Sequence, residues 1–204
     1  VGPVTRFAPA PTGFLHLGHV VNALHVWGIA RARGGRVILR LEDHDRTRCR
    51  EEYADAILED LDWLGFVPDT VAPTQSSSER GERYAAALAK LHAAALAYAC
   101  DCSRRDIAMD TPDIFGEEMR YPGRCRSRGL PLDSTPARRV RMDEGVEEFV
   151  DERLGPQAQS PSEQSGDLLV RDRLGNWTYQ FAVVVDDMDQ GVDLVVRGED
   201  LLSS

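Results

Sequence analysis

The stretch Arg6-Phe7-Ala8-Pro9-Ala10-Pro11-Thr12-Gly13-Phe14-Leu15-His16-Leu17-Gly18-His19 constrains the fold more than any other part of this 204-residue chain. A short apolar run predicts a strand, prolines and a glycine end it, and a helical pattern starts with two histidines around a glycine. A helix start presents unpaired N–H groups and partial positive charge, which favour a phosphate. Gly13 and Gly18 let a ligand come close to the backbone. His16 and His19 share one helical face and can donate to the oxygens of a phosphate in transfer. Taken alone, an HxGH pair reads as polar surface; its full setting turns the reading towards a ligand site.

Beyond the signature, Val20, Val21, Leu24, Trp27 and Ile29 to Ala30 predict the apolar face of a helix that Gly34-Gly35 ends. Residues 36–41, RVILRL, read as a buried strand, so strand, helix and strand within about forty residues predict a parallel crossover unit. In open sheets of this kind ligands bind beyond the carboxyl ends of the strands, where Glu42-Asp43-His44-Asp45 sits. Glu42 suits a ligand ammonium group, or else supplies the N-terminal charge of the next helix, as Asp45 and Thr47 equally could. Arg50 to Leu64 predicts an amphipathic helix with Ala54, Ile57, Leu58, Leu61 and Leu64 on one side. Ser76-Ser77-Ser78 caps a further helix, in which Tyr84, Leu88, Leu91 and Ala95 recur at helical spacing and Lys90, His92 and Tyr84 are structural.

Hydrophobic and charged contents of 42% and 28% belong to a soluble globular protein. No signal-peptide pattern or bilayer-length apolar run occurs, which predicts a cytoplasmic protein without a membrane partner. The net charge of −10 excludes broad nucleic-acid affinity but hides a basic block. Residues 120–141 hold Arg120, Arg124, Arg126, Arg128, Arg138, Arg139 and Arg141 against Asp133 alone, a segment of +6 in a remainder of −16. The block is either a docking site for a polyanion or a solvated loop in an arginine-biased chain.

The four cysteines, at 49, 100, 102 and 125, do not form a secreted disulfide framework. Cys100 and Cys102 can reach one ion, Cys125 follows a Pro-Gly turn, and three sulfur ligands favour zinc. A closed tetrahedral site lacks one ligand, for which Tyr121, Asp101 and Asp106 are the candidates. Towards the end, residues 166–172 and 175–179 predict two strands around a turn, residues 186–191 an acidic turn, and residues 192–197 another strand. Arg197 at that strand's end either binds a carboxylate, with Tyr179 sharing the task, or pairs with Glu199 or Asp200.

RFAPAPTGFLHLGH resembles the HIGH signature of class I aminoacyl-tRNA synthetases in its glutamyl form, and TYQFAVVVDDMDQGVDLVVRGEDLL is similar to the same family. The resemblance implies a Rossmann-like, doubly wound parallel α/β sheet, in a catalytic domain (1–98 and 176–204) interrupted by a zinc-bearing insertion (99–175) that receives tRNA. It implies that Arg6, Phe7, Ala8, Pro9, Ala10, Glu42, Tyr179 and Arg197 bind L-glutamate. Pro9, Thr12, Gly13, His16, Gly18 and His19 would bind ATP with Mg2+, with His16, Gly18 and His19 catalytic.

The pattern C-x-C followed by Y-x-x-x-C resembles the zinc site of glutamyl-queuosine tRNA(Asp) synthetases, which implies Cys100, Cys102, Tyr121 and Cys125 as ligands of a structural Zn2+. Zinc-bearing glutamyl-tRNA synthetases instead carry a histidine where this chain has Ser127. The implied activity is formation of glutamyl-adenylate and transfer to queuosine in the tRNA(Asp) anticodon, by a monomer. An ordinary glutamyl-tRNA synthetase is the nearest alternative, and a non-catalytic zinc and RNA-binding relative a further one. The family's second signature, KMSKS, does not occur before Ser204, so a fragment inactive on its own is expected.

Overall fold

The computed structural model describes residues 2–44, 47–110, 120–199 and 202. Asp45, Asp200 and Ser204, which entered the sequence reading, lie outside the described residues. In chain order the elements are β1 (Val4–Phe7), α1 (Leu17–Ala32), β2 (Arg36–Leu39), α2 (Glu51–Trp63), β3 (Thr70–Val71), α3 (Ser78–Ala93), β4 (Ala97–Ala99), α4 (Arg104–Asp110), β5 (Arg138–Val140), β6 (Glu147–Asp151), β7 (Gly155–Gln159), α5 (Pro161–Gln164), β8 (Leu168–Arg171) and α6 (Tyr179–Gln190). Two compact units emerge, one of Val1–Ala85 with Ala182–Leu202, the other of Ala86–Phe181.

The first unit is built on a parallel sheet of order β1-β2-β3. Val4 pairs with Arg36 and Phe7 with Leu39. Side chains alternate across a strand, so Phe7, Val37 and Leu39 share one face. Together with Ala23, Val26, Trp27 and Ala30 of α1 and Ile57 and Leu61 of α2 they form the apolar core. By the same alternation Arg6 and Arg40 fall on the opposite face, where α6 meets them through ion pairs and α3 in turn holds α6 through Arg80 and Asp186. Both faces are thus covered, as a parallel sheet requires. The Pro3 carbonyl accepts from Arg36 in β2, whereas the Val4 carbonyl accepts from Asp193 and Leu194 on the other edge. Residues 192–197 therefore return beside β1 without forming the ladder strand that the sequence pattern predicts.

Three further expectations are corrected. Residues 175–179 form no ladder strand, with Trp177 in an isolated bridge to Arg171, and the acidic residues expected in a turn lie in one helix over Tyr179–Gln190. The branched run Val183-Val184-Val185 favours a strand, but Phe181, Ala182, Val183 and Asp186 are buried on a helical spacing, so packing overrides propensity. On α1 the buried residues are Ala23, Val26, Trp27 and Ala30, while Val21 and Leu24 stay 45% and 57% exposed. That helix is apolar nearly all round, so its pattern could not choose a face; the small alanines let it lie close to the sheet. Ala95 is not on the face of α3, which ends at Ala93; it sits in a left-handed turn at φ 57°.

The second unit holds an antiparallel sheet of order β4-β5-β8 and the hairpin β6-β7. Its core gathers Tyr98, Cys100, Ile107, Tyr121 and Cys125. Asp167 is buried and accepts from the Tyr98 hydroxyl at 2.6 Å and from the Met142 N–H at 2.9 Å. Among the described residues no helix is long and apolar enough to cross a membrane.

Candidate active site and metal centre

His16 is the N-cap of α1. Its Nδ1 accepts from the Gly18 N–H at 3.1 Å, and the Nδ1 of His19 accepts from the His16 N–H at 3.2 Å. The two rings therefore satisfy two of the orphan donors of the helix start, a task usually given to Ser, Asp or Glu. An Nδ1 that accepts carries no proton, so each neutral ring keeps its proton on Nε2 and offers it as a donor. Burial, with repulsion from His16 added, holds the His19 imidazole below its usual range, which favours the neutral donor form. A Cβ at Gly18 would lie 2.9 Å from the His16 ring, which explains the glycine between the histidines.

The chain leading to this cap is tied to the segment that follows β2. The Phe7 carbonyl accepts from Arg40 N–H and the Pro9 carbonyl from Glu42 N–H, each at 3.0 Å, and the Pro11 carbonyl accepts from Arg50. The Phe7 side chain points into the core and its carbonyl is occupied, whereas Ala8, Thr12 and Gly13 are half-buried and Ala10 is exposed.

Arg6 in β1 and Glu42, the latter expected beyond a strand's carboxyl end, are buried and belong to one ionic network. Arg6 donates Nε to both carboxylate oxygens of Asp187 at 3.1 Å. Arg40 donates to Glu42 Oε1 at 3.0 Å, to Asp187 at 2.8 Å and to Gln190 at 2.9 Å. Asp186 beneath them takes the Tyr84 hydroxyl, the Gln75 amide at 2.8 Å and the Arg80 guanidinium. Three aspartates in the last turns of α6 oppose its dipole, and the arginines offset that cost. Burial pushes the Glu42 carboxyl above its usual range, against the pull of the Arg40 charge.

Sequence reasoning passed over Arg40, Arg80, Asp186 and Asp187. The signals were a lone arginine inside RVILRL and the spacing Asp186, Asp187, Gln190, which a helical reading would have put on one face. Arg197 is exposed, directly after Val196, which packs on the first unit's core; among the described residues it makes no ion pair with Glu199. Tyr179 opens α6 and is half-buried.

In the second unit the Sγ atoms of Cys100, Cys102 and Cys125 all lie within 4.8 Å of one another. Cys102 and Cys125 approach to 3.4 Å, and the Tyr121 hydroxyl is 3.5 Å from Cys100 and 3.8 Å from Cys102. Ligands about 2.3 Å from a tetrahedral ion lie about 3.8 Å apart, so these four atoms fit a zinc ion. Asp106 turns to the Ser103 N–H and hydroxyl, and Asp101 to Arg128 and the Cys125 thiol. Burial and the facing Cys125 thiol push the Cys102 thiol up to about 12, so a thiolate there calls for a cation beside it.

The basic block is less available than its count suggests. Arg139 is buried with its guanidinium 3.7 Å over the Tyr121 ring, Arg138 and Arg141 bind backbone carbonyls, and Arg126 pairs with Asp167 at 3.5 Å. Arg120, Arg124 and Arg128 are the exposed members, the last two paired with Asp110 and Asp101.

Residues 3–204 match the family model described as tRNA synthetases class I (E and Q), catalytic domain. The chain belongs to this family. This class I synthetase domain is 44% identical over 98% of its length to the Glutamyl-Q tRNA(Asp) synthetase of Geobacter sulfurreducens, covering 64% of that protein. The like-named protein of Bordetella bronchiseptica is 46% identical over 100% of the chain, again with 64% of the relative covered. The Glutamate--tRNA ligase of Frankia casuarinae is 40% identical over 98% of the chain and 42% of its own length. The domain thus spans somewhat under two thirds of the Glutamyl-Q relatives just named. Among solved structures, a glutamate tRNA ligase from Elizabethkingia meningosepticum in complex with its amino acid superposes with a TM-score of 0.83, at 29% identity over 99% of this chain and 45% of that one.

Proposed function

We propose that this synthetase domain serves an enzyme that activates L-glutamate with ATP and transfers it to queuosine in the anticodon of tRNA(Asp), in the cytoplasm and as a monomer. Arg6 presents its terminal guanidinium nitrogens to a glutamate carboxylate and Glu42 presents Oε2 to the ammonium group. The family likeness adds Tyr179 and Arg197, and the backbone of Phe7 to Ala10, to the residues assigned to glutamate. ATP, accompanied by Mg2+, lies along Pro9, Thr12, Gly13 and the helix start. An α-carboxylate oxygen of glutamate attacks the α-phosphorus, the bond to the leaving pyrophosphate breaks, and glutamyl-adenylate forms. The Nε2–H groups of His16 and His19 donate to phosphate oxygens as charge builds, so the protein supplies placement and charge stabilisation.

Cys100, Cys102, Tyr121 and Cys125 hold a structural zinc ion, in an insertion (99–175) that offers Arg120, Arg124 and Arg128 to RNA. The observation that carries the choice of acceptor is the phenol of Tyr121 at the fourth corner of the thiol cluster, with Ser127 where a histidine ligand would stand. The relatives named Glutamyl-Q tRNA(Asp) synthetase support the same choice. A second reading, an ordinary glutamate–tRNA ligase, is favoured by relatives and solved structures of that name.

The full-length protein is tested for glutamate-dependent ATP–pyrophosphate exchange without tRNA, then for transfer of labelled glutamate to tRNA(Asp) with and without queuosine. Exchange without tRNA and labelling only of queuosine-bearing tRNA are expected. Labelling of tRNA(Glu) instead supports the second reading, and no exchange overturns the catalytic one.

A further inference from the structure

We infer that Arg40 and Asp187 form a buried relay that holds Arg6 and Glu42 apart and so sets the affinity for the amino acid without touching it. The inference rests on the proposed function, in which those two residues contact glutamate. A buried guanidinium and a buried carboxylate at the ends of neighbouring strands would close on each other unless each were held elsewhere. Here each is satisfied from behind by a group of opposite charge. Asp187 takes Arg6 by Nε, and among the described residues that is the nitrogen through which Arg6 makes its hydrogen bonds, so the terminal edge of its guanidinium is left for a ligand. Arg40 takes Glu42 by Oε1 and, among the described residues, Oε2 is left without a hydrogen bond. Arg40 also donates to Asp187 at 2.8 Å, which closes the chain Arg6–Asp187–Arg40–Glu42.

Arg40 cannot itself meet a substrate. Its side chain is fully buried, and its terminal nitrogens are taken by Glu42, Asp187 and Gln190. A network kept for stability alone is a poor explanation, because apolar residues of similar volume generally serve a core as well as buried ion pairs do. Pre-organisation of two opposite charges gives a reason for its position at the carboxyl ends of β1 and β2. Both residues are positioning residues.

The test is the exchange assay on the full-length protein with glutamate and ATP varied separately. Asp187→Asn changes one atom on a half-buried residue, and Asp187→Glu restores the charge; Arg40→Lys keeps a charge that can reach only one of the two carboxylates. For Asp187→Asn and Arg40→Lys we expect the KM for glutamate to rise about tenfold or more, with the KM for ATP within about twofold. Asp187→Glu should recover part of the loss. Asp187→Asn should also melt within a few degrees of the wild type. An unchanged KM for glutamate in Asp187→Asn overturns the relay, and so does an equal rise in both KM values with a large drop in melting temperature, since that marks a merely structural role. Absence of exchange by the wild type overturns the proposed function itself and, with it, the ligand assigned here.

Discussion

The rings of His16 and His19 lie with centroids 3.9 Å apart, and each turns its Nδ1 to a backbone N–H of the first turn of α1. The pair is at once a helix cap and a source of two Nε2–H donors, and a substitution can separate these tasks. Asparagine is among the best N-cap residues. His16→Asn is therefore expected to melt within a few degrees of the wild type while its glutamate-dependent exchange rate falls by about a hundredfold. An unchanged exchange rate in this variant would mean that the imidazole only caps.

Gly18 offers a complementary probe. Alanine is about 1 kcal/mol better than glycine at a helical position. Its Cβ would nevertheless stand 2.9 Å from Cε1 and 3.1 Å from Nδ1 of His16. Gly18→Ala should preserve helix content by circular dichroism, displace the ring and lower kcat, with thermal stability held.

Acid should weaken the cap. Burial, aided by His16, holds the His19 imidazole below its ordinary 6.5, so the unfolded chain takes up a proton at higher pH than the folded one. The stability contributed by the neutral ring is complete above 6.5 and is lost as pH falls through the lower folded value. Urea unfolding at about pH 7.5 and about pH 5.5 should show lower stability in acid, and His19→Asn should shrink that difference.

The proposed zinc site is checked by content and by melting. Cys125→Ser should lose zinc by elemental analysis, and a chelator should lower the melting temperature of the wild type but leave that variant unmoved. Tyr121→Phe should retain zinc with weaker affinity, because three thiolates remain.

Gly166 supports the Tyr121 backbone beside the proposed site. It has φ 65°, and a Cβ there would lie 2.1 Å from the Tyr121 carbonyl oxygen. Tyr121 N–H also binds the Ser165 carbonyl at 2.9 Å. Gly166→Ala should destabilise the fold by about 2 kcal/mol or more, combining steric overlap with a strained φ, and should weaken zinc binding in parallel. Equilibrium unfolding followed with zinc titration measures both.

What the sequence by itself determined was local. The Pro-Gly turn and HxGH spacing marked a strand that ends where a helix begins, RVIL marked its parallel neighbour, and C-x-C with Y-x-x-x-C marked one group of sulfur and phenol atoms. The first two depend on residues close in sequence, whose geometry follows from backbone dihedrals, side-chain periodicity and turn chemistry; the last, spread over residues 100–125, was implied by the family resemblance. Only the tertiary structure decided that residues 179–190 are helical, which face of α1 is buried, that Arg138, Arg139 and Arg141 serve the fold, and that Arg6 and Glu42 are joined through Arg40 and Asp187. Asp187 lies 181 residues from Arg6 in the chain. A valine-rich run with an acidic tail has no reason of its own to become a helix; it does so because burial of one side, and arginines brought from β1, β2 and α3, stabilise the charges that this helix alone would leave unpaired.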